Sequence, residues 1–263
     1  MTRTVSVVVP AYQEARRLPG LIRAVETHAG DDLAQAGLDL VEVIVVEDGS
    51  TDGTGALLAE AAEREPLLTG LTAPPGRRGK GHALRHGIRH AAGDLVLLAD
   101  VDLSAPLSEA SKLAAALERG ADVAIGSRAA EGAHVEDTPV AREVMGRAFN
   151  ALVRTATALD LMDTQCPLKL MPASLARDLV EEQIAPGFAF DVELLLRARQ
   201  RHARIAEVPI AFHHDRDSRV RPLRSAVSMA FDVLRLSARL RRKRERDPGG
   251  KVRPATDEPG LDR

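Results

Sequence analysis

The sequence predicts an α/β protein: a doubly wound, mostly parallel sheet flanked by helices, with an amphipathic helix near the C-terminus. Three observations carry this. VSVVVPA (5–11) and VEVIVV (41–46) are β-branched runs without a polar face, the pattern of strands covered on both sides. Segments of strand and helix character alternate through the first half, which implies a parallel sheet with right-handed crossovers. Apolar runs also end in acids, at 47–48 and again at 100 and 102, at the strand ends where ligands of such sheets bind.

Between the first two strands, ARRLPGLIRAVETHA (15–29) sets Leu21, Ile22, Val25 and Ala29 near one helix face. DGTGALLAEAAERE (52–65) reads as a helix with Asp52 or Thr54 as N-cap. A strand, LLTGLTA (67–73), and a helix, GHALRHGIRHAA (81–92), lead to the strand DLVLLAD (94–100). SEASKLAAALERG (108–120) is a helix ended by Gly120, and ADVAIGS (121–127) a strand. The second half is more helical: REVMGRAFNALVRTATAL (142–159) and SLARDLVEEQ (174–183) flank a loop, DTQCPLK (163–169). FDVELLLRARQRH (190–202) is a helix with its acids first, RIAEVPIAF (204–212) a strand, and HHDRDSRVRP (213–222) a polar loop. The chain thus divides into a main domain over 1–222, a basic amphipathic helix over 223–246, and a tail over 247–263. The tail's Pro, Gly and charge content predicts disorder.

A chain of 263 residues can bury a substantial core, and 44% apolar with 28% charged residues is ordinary for a globular protein. A formal net charge of -2 argues against nucleic-acid binding. One Tyr, five Phe and no Trp leave no basis for a base-stacking platform. The single cysteine, Cys166, excludes an internal disulfide and a cysteine zinc cluster, and fits a reducing cytoplasm. No window reaches the roughly 20 apolar residues of a membrane span, so the expectation is a chain that does not cross one.

Asp100 and Asp102 pose the chemical question. Two carboxylates closing an apolar strand are costly unless paired or bound to metal. As hard oxygen donors at a turning strand end they suit Mg²⁺ or Mn²⁺ with phosphate oxygens; as loop residues they would cap the next helix. In VVEDGSTDGT (45–54), Asp48 has the chemistry to accept from a nucleobase N–H or ribose hydroxyl, or to form the turn. RRGKGHALRHG (77–87) presents a Gly-flanked lysine at a helix N-terminus, electropositive toward phosphate but without P-loop spacing.

Taken together, VSVVVPAYQE, VIVVEDGSTDGT, RRGKGHALRHG, DLVLLADVDLS and VAIGSR resemble, in order and spacing, the family 2 glycosyltransferases of GT-A fold. DTQCPLKLM, FDVELLLRA and IAEVPI are similar to the branch that moves a sugar from a nucleotide to a polyprenyl phosphate, and most like its dolichyl-phosphate β-glucosyltransferases. The resemblance spans roughly residues 4–235. It implies a UDP-hexose donor, with glucose as the sugar, a polyprenyl phosphate acceptor, Mg²⁺ or Mn²⁺, and inversion to a β-linked lipid-phosphate sugar. Pro10, Ala11, Tyr12 and Glu14 would contact the nucleotide, Asp48 the base, and Lys80 the base or pyrophosphate. Asp102 would touch the metal and Asp100 the ribose or metal. Arg128 would lie at the reacting phosphates, with Arg142 and Arg147 on the acceptor phosphate. Asp163, Thr164 and Gln165 would form a sugar-side loop. Asp191 would contact a sugar hydroxyl, or act as base were the acceptor an alcohol; helix N-terminal charge is its structural role.

Several features depart from the branch. Pro167 and Leu168 stand where Gly-Phe is usual, Glu47 replaces the first of paired aspartates, and no membrane anchor is visible, unlike the eukaryotic enzymes. Cys166 reads as a packing residue. His82, His86 and His90 share a helix face that is solvated or partly packed, or a metal stripe; His213, His214 and Asp215 form an acceptor-side gate or an exposed loop. Val227, Ala230, Phe231, Leu234 and Ala238 form an apolar stripe before LRRKRER, suited either to an anionic membrane surface, hence a peripheral place on the inner face of the plasma membrane, or to the core. Two other functions compete: a soluble transferase acting on a hydroxyl of a small molecule or polymer, and a non-catalytic nucleotide-sugar-binding protein.

Overall fold

The computed structural model describes residues 2–75, 79–136, 140–157, 159–185, 187, 189–213 and 231–239, with side chains of 140–144 outside that description. In chain order the elements are β1 (Arg3–Ala11), α1 (Leu18–Thr27), α2 (Ala29–Gln35), β2 (Leu38–Glu47), α3 (Thr54–Arg64), β3 (Leu68–Thr72), α4 (Lys80–His90) and β4 (Leu95–Leu98). A 3₁₀ turn (Leu107–Glu109) leads into α5 (Ala110–Glu118), then β5 (Val123–Ser127), β6 (His134–Glu136), α6 (Val140–Thr157), β7 (Lys169–Pro172), α7 (Ala173–Glu181), α8 (Phe190–Gln200), β8 (Ile205–Pro209) and β9 (Ala211–His213).

The main sheet has seven strands in the order β3-β2-β1-β4-β7-β5-β8. Every neighbouring pair is parallel except those made by β7, which runs antiparallel to both β4 and β5. The unbroken apolar runs are explained by burial on both faces. Val7 and Val9 of β1, with Val43 and Val45 of β2, pack among Leu21, Val25, Leu33 and Leu113 on one side. Val8, Ile44 and Val46 alternate to the other side, among Leu84, Ile88, Leu179 and Leu195. Each such side chain, removed from water, contributes about 1.5–3 kcal/mol.

The sequence-based elements differ from the observed ones at several places, including β6, a strand that the sequence reading did not assign. The helix over 15–29 is two, because the backbone at His28 (φ -145°) breaks it and α2 restarts at Ala29. α3 begins at Thr54 with Gly53 (φ 94°), neither Asp52 nor Thr54, at the N-cap; Asp52, one residue earlier, forms a turn by accepting from the Thr54 N–H at 3.1 Å and hydroxyl at 2.5 Å. β7 lies where the sequence showed only the end of a loop. RIAEVPIAF is two strands: β8 joins the main sheet, while β9 pairs with β6 in a separate parallel ribbon. Residues 231–239 are helical; the rest of 223–246, the tail and His214–Asp215 lie outside the described residues.

Candidate active site

The order β2-β1-β4 reverses direction at β1, so the loops after β1, β2 and β4 converge at one carboxyl edge. The first two are sewn together. Gln13 N–H donates to Ser50 Oγ (3.0 Å), Glu14 N–H to Thr54 Oγ1 (2.9 Å) and Ala15 N–H to Asp52 Oδ2 (3.1 Å). Pro10 and buried Ala11 end β1, the Ala11 carbonyl accepts from Asp48 N–H at 3.0 Å, and Tyr12 projects 55% exposed. Asp48 is buried and accepts from the Gly79 N–H, so it ties the β2 loop to the start of α4. Glu47 accepts from the Ser50 N–H, which gives it a turn-forming role.

Past β4, Asp102 Oδ1 accepts from Ser104 N–H at 3.0 Å, around a turn in which Leu103 adopts φ 47°. Its Oδ2 lies 3.4 Å from Arg17, which also grips Glu14 with two bonds of 2.6 and 2.5 Å. Burial raises the Glu14 pKa most, Arg17 opposes that, and the carboxylates of Asp102 and Asp100 add to the rise. Three acids thus feel one another at this edge. One Asp102 oxygen forms this turn, short of the next helix, and the other faces the Arg17 guanidinium.

Asp100 pairs with Lys80 at 3.0 Å, and Lys80 reaches Asp191 Oδ2 at 3.7 Å. Burial by itself would depress the Lys80 pKa, but Asp100 and Asp191 outweigh it and hold the ammonium above the usual lysine range. Lys80 can stand here because Gly79 adopts φ 125° and Gly81 has no side chain. A Cβ on Gly81 would come within 2.6 Å of Phe190 Cβ and 2.7 Å of the Ala185 carbonyl, so α4 could not approach α8. On α8, Asp191 is 2% exposed and its Oδ1 is held by Lys169 Nζ at 2.6 Å, while Oδ2 has no hydrogen-bond partner. Glu193 serves differently, accepting the N–H groups of Ile184 and Ala185 and pairing with Arg197 at 2.6 Å, which fastens the loop before α8.

Arg128 follows β5 and meets Asp163 three ways. Asp163 accepts from the Arg128 backbone N–H at 3.0 Å, Nε at 2.7 Å and Nη2 at 2.9 Å. Burial would raise the Asp163 pKa, yet Arg128 overrides it and holds the carboxylate below its usual range. The guanidinium keeps a third of its side chain exposed and stacks 5.0 Å over the Phe212 ring. Thr164 is buried against Asn150 (3.3 Å), and Gln165 has a buried amide nitrogen without a partner. Cys166 is buried, and burial, with Asp163 adding, pushes its thiol up to about 12. It packs and does not ionise.

Of the two other arginines, Arg147 is exposed on α6, and the Arg142 side chain lies outside the described residues. His82 contacts the Pro74 carbonyl at 3.0 Å, and His86 and His90 stack edge to face at 4.4 Å. Among the described residues no group of three or more His, Cys, Asp or Glu could hold a metal, which leaves the histidine face as a partly packed one. His213 is exposed and pairs with Glu136 at 2.9 Å. Sequence reasoning missed Arg17 and Lys169. The signal for Lys169 was a lone cation inside the apolar PLKLM; that for Arg17 was its i,i+3 spacing from Glu14.

The chain belongs to glycosyl transferase family 2, whose model matches residues 6–179. It is 30% identical over 236 residues to a dolichyl-phosphate β-glucosyltransferase of Trichomonas vaginalis, covering 88% of this chain and 69% of that one. The enzymes of that name from Drosophila melanogaster and Homo sapiens are 32% and 30% identical, each over 89% of this chain and 74% of theirs. The fold is that of glucosyl-3-phosphoglycerate synthase from Mycobacterium tuberculosis, crystallised with Mn²⁺, UDP and phosphoglyceric acid (TM-score 0.62, 23% identity, 89% of this chain and 77% of that one). The protein is therefore a glycosyltransferase of GT-A fold.

Proposed function

We propose that this enzyme transfers glucose from UDP-glucose to a polyprenyl phosphate, with inversion, giving a β-linked lipid-phosphate sugar. The observation that carries the acceptor is Arg128, locked flat on Asp163 by three bonds yet a third exposed at the carboxyl edge. A planar fork so oriented suits phosphate oxygens, and a phosphate acceptor arrives already ionised, needing alignment and no strong base. The names of the relatives support the same acceptor. Arg147 and Arg142 are proposed as further acceptor-phosphate ligands.

On the donor side, Pro10, Ala11, Tyr12 and Glu14 line the nucleotide, Asp48 takes the base, and Lys80 faces the pyrophosphate. The donor set fits Mg²⁺ or Mn²⁺: Asp100 and Asp102 offer hard oxygens, and their negative charges, which add to the burial that chiefly raises the Glu14 pKa, are what a cation relieves. When bound, a divalent ion supplies charge neutralisation for the departing diphosphate. Asp163, Thr164 and Gln165 form the sugar-side loop. Asp191 Oδ2, which has an ion pair with Lys80 but no hydrogen bond, and Gln165 Nε2, which has no hydrogen bond, are one acceptor and one donor that match sugar hydroxyls. Asp191 also supports the second reading, a hydroxyl acceptor for which it would be the base.

The main domain over 1–222 does the chemistry, and the helix within 223–246 meets an anionic cytoplasmic membrane face. Over 231–239, Val233 and Leu236 are buried and Ser237 bonds the Ala156 carbonyl on α6 at 2.6 Å. Phe231, Leu234 and Ala238 face outward. No helix among the described residues is long and apolar enough to cross a membrane.

The test is a panel of UDP- and GDP-sugars with a short-chain polyprenyl phosphate and the matching alcohol, each with and without Mn²⁺. Metal-dependent transfer from UDP-glucose to the phosphate is expected. Transfer only to the alcohol would overturn the acceptor, and UDP binding without turnover would overturn the enzymatic reading. Asp102→Ala is expected to lose metal-dependent transfer, by a factor of roughly 100 or more, while melting as the parent does; unchanged metal dependence would remove Asp102 from the site.

A further inference from the structure

We infer that Glu207 is a positioning residue for Arg128, acting through Asp163. Glu207 lies on β8, in register with Ile125 of β5, the strand that ends at Arg128's doorstep. Its two carboxylate oxygens each take a backbone N–H from the loop after α6: Oε2 from Met162 at 2.8 Å and Oε1 from Asp163 at 2.6 Å. The loop has no strand partner there, so its amides depend on this side chain. Asp163, set in place by Glu207, spends Oδ2 on the Arg128 backbone and Nε, and Oδ1 on Nη2 and the Gln165 N–H at 3.1 Å. The guanidinium then rests on Phe212 of β9, which is joined to the Asp102 turn by the His213 N–H on the Ser104 carbonyl at 2.8 Å.

Placing one carboxylate next to another is unfavourable unless each is compensated by donors. Here Glu207 grips the two N–H groups with one charged oxygen each, a bidentate geometry that a neutral glutamine, with an NH₂ in place of one oxygen, does not reproduce. The chain Glu207, Asp163, Arg128 therefore determines the direction in which the phosphate-binding fork points. The inference rests on the proposed role of Arg128 at the reacting phosphates.

The experiment compares the parent chain with Glu207→Gln, Arg128→Lys and the double variant, measuring KM for polyprenyl phosphate and for UDP-glucose, with the Arg128 Nε–H NMR signal as a readout independent of turnover. Glu207→Gln forfeits one hydrogen bond and is expected to raise the acceptor KM about tenfold with the donor KM within about twofold. It should also shift or broaden the Nε–H signal. On the Arg128→Lys background it should add less than about twofold, since there is no fork left to aim. An unmoved Nε–H signal, equal effects on both substrates, or additivity in the double variant would overturn the inference. Failure of the parent to use the phosphate overturns the acceptor assignment instead, and the Nε–H signal then decides the positioning claim. Should Glu207→Gln not fold, Glu207→Asp keeps the charge, shortens the reach by one methylene, and is read the same way.

Discussion

Lys169 shows what single residues contribute here. It is wholly buried, and its ammonium serves the Cys166 carbonyl at 2.5 Å and Asp191 at 2.6 Å. Replacing it by a neutral chain of similar volume leaves Asp191 buried with Lys80, at 3.7 Å, as its one remaining ion-pair partner among the described residues. Lys169→Met is expected to cost about 3–5 kcal/mol in urea unfolding, and Lys169→Met with Asp191→Leu to recover much of that stability while remaining inactive. Equal stability of Lys169→Met and the parent would refute the pairing. The neighbouring Cys166 makes a second test. A thiol with an ordinary value of 9.0 moved to about 12 stays protonated in the folded state at pH 8. It should resist alkylation until urea exposes it; the associated stability is complete below about pH 9 and lost as pH rises toward 12. Rapid native labelling would contradict this. At this scale the sequence revealed the acids, because carboxylates ending apolar runs are conspicuous. It concealed their cations: pairing of Lys169 with Asp191 joins residues 22 apart, and no local pattern encodes it.

The elements were legible where periodicity is strong and opaque where tertiary contact overrides it. β1, β2 and β4 announced themselves as doubly covered runs. β7 did not, since KLMP is four residues long and takes its strand conformation from pairing with β4 and β5 on either side. RIAEVPIAF looks like one strand because nothing in its composition marks the switch after Pro209 from the main sheet to the β6 ribbon. The junction of α4 with α8 was invisible for a related reason: a glycine in a helix is legible as a weak former, while its purpose lies in the element facing it. Gly81→Ala, a favourable change for an isolated helix, is expected here to destabilise by about 1–3 kcal/mol. It should lower transfer as well, because the displaced α4 carries Lys80 away from Asp100 and Asp191. Urea unfolding and a transfer assay on the same preparation check both; a stabilised, fully active variant would refute the close approach.

Over the whole molecule, charge is sorted by position. The chain is nearly neutral at -2, yet acids gather at the carboxyl edge of the sheet and cations in the stretch of sequence that follows the helix described over 231–239. The first cluster follows from topology: strand-order reversal at β1 brings three acid-bearing loops together, and the partly buried Arg17 and Lys80 pair with their acids. The second stands in the sequence as Arg241, Arg242, Lys243, Arg244 and Arg246 against a single Glu245, following a helix whose Phe231 and Leu234 are about half exposed. A lipid-linked phosphate sits at a membrane surface, so an enzyme that uses one gains from a basic, apolar-faced helix at that surface. Each cation near an anionic leaflet contributes about 1 kcal/mol. Replacing Arg241, Arg242 and Arg244 by Gln should therefore weaken co-sedimentation with phosphatidylserine-containing vesicles by about 100-fold, with little effect on transfer to a short, water-soluble polyprenyl phosphate. Raising salt to about 0.5 M should weaken the parent in the same direction, since these charges are screened. Vesicle binding indifferent to both the substitutions and the salt would assign the helix to packing alone and leave the acceptor to reach the site unaided.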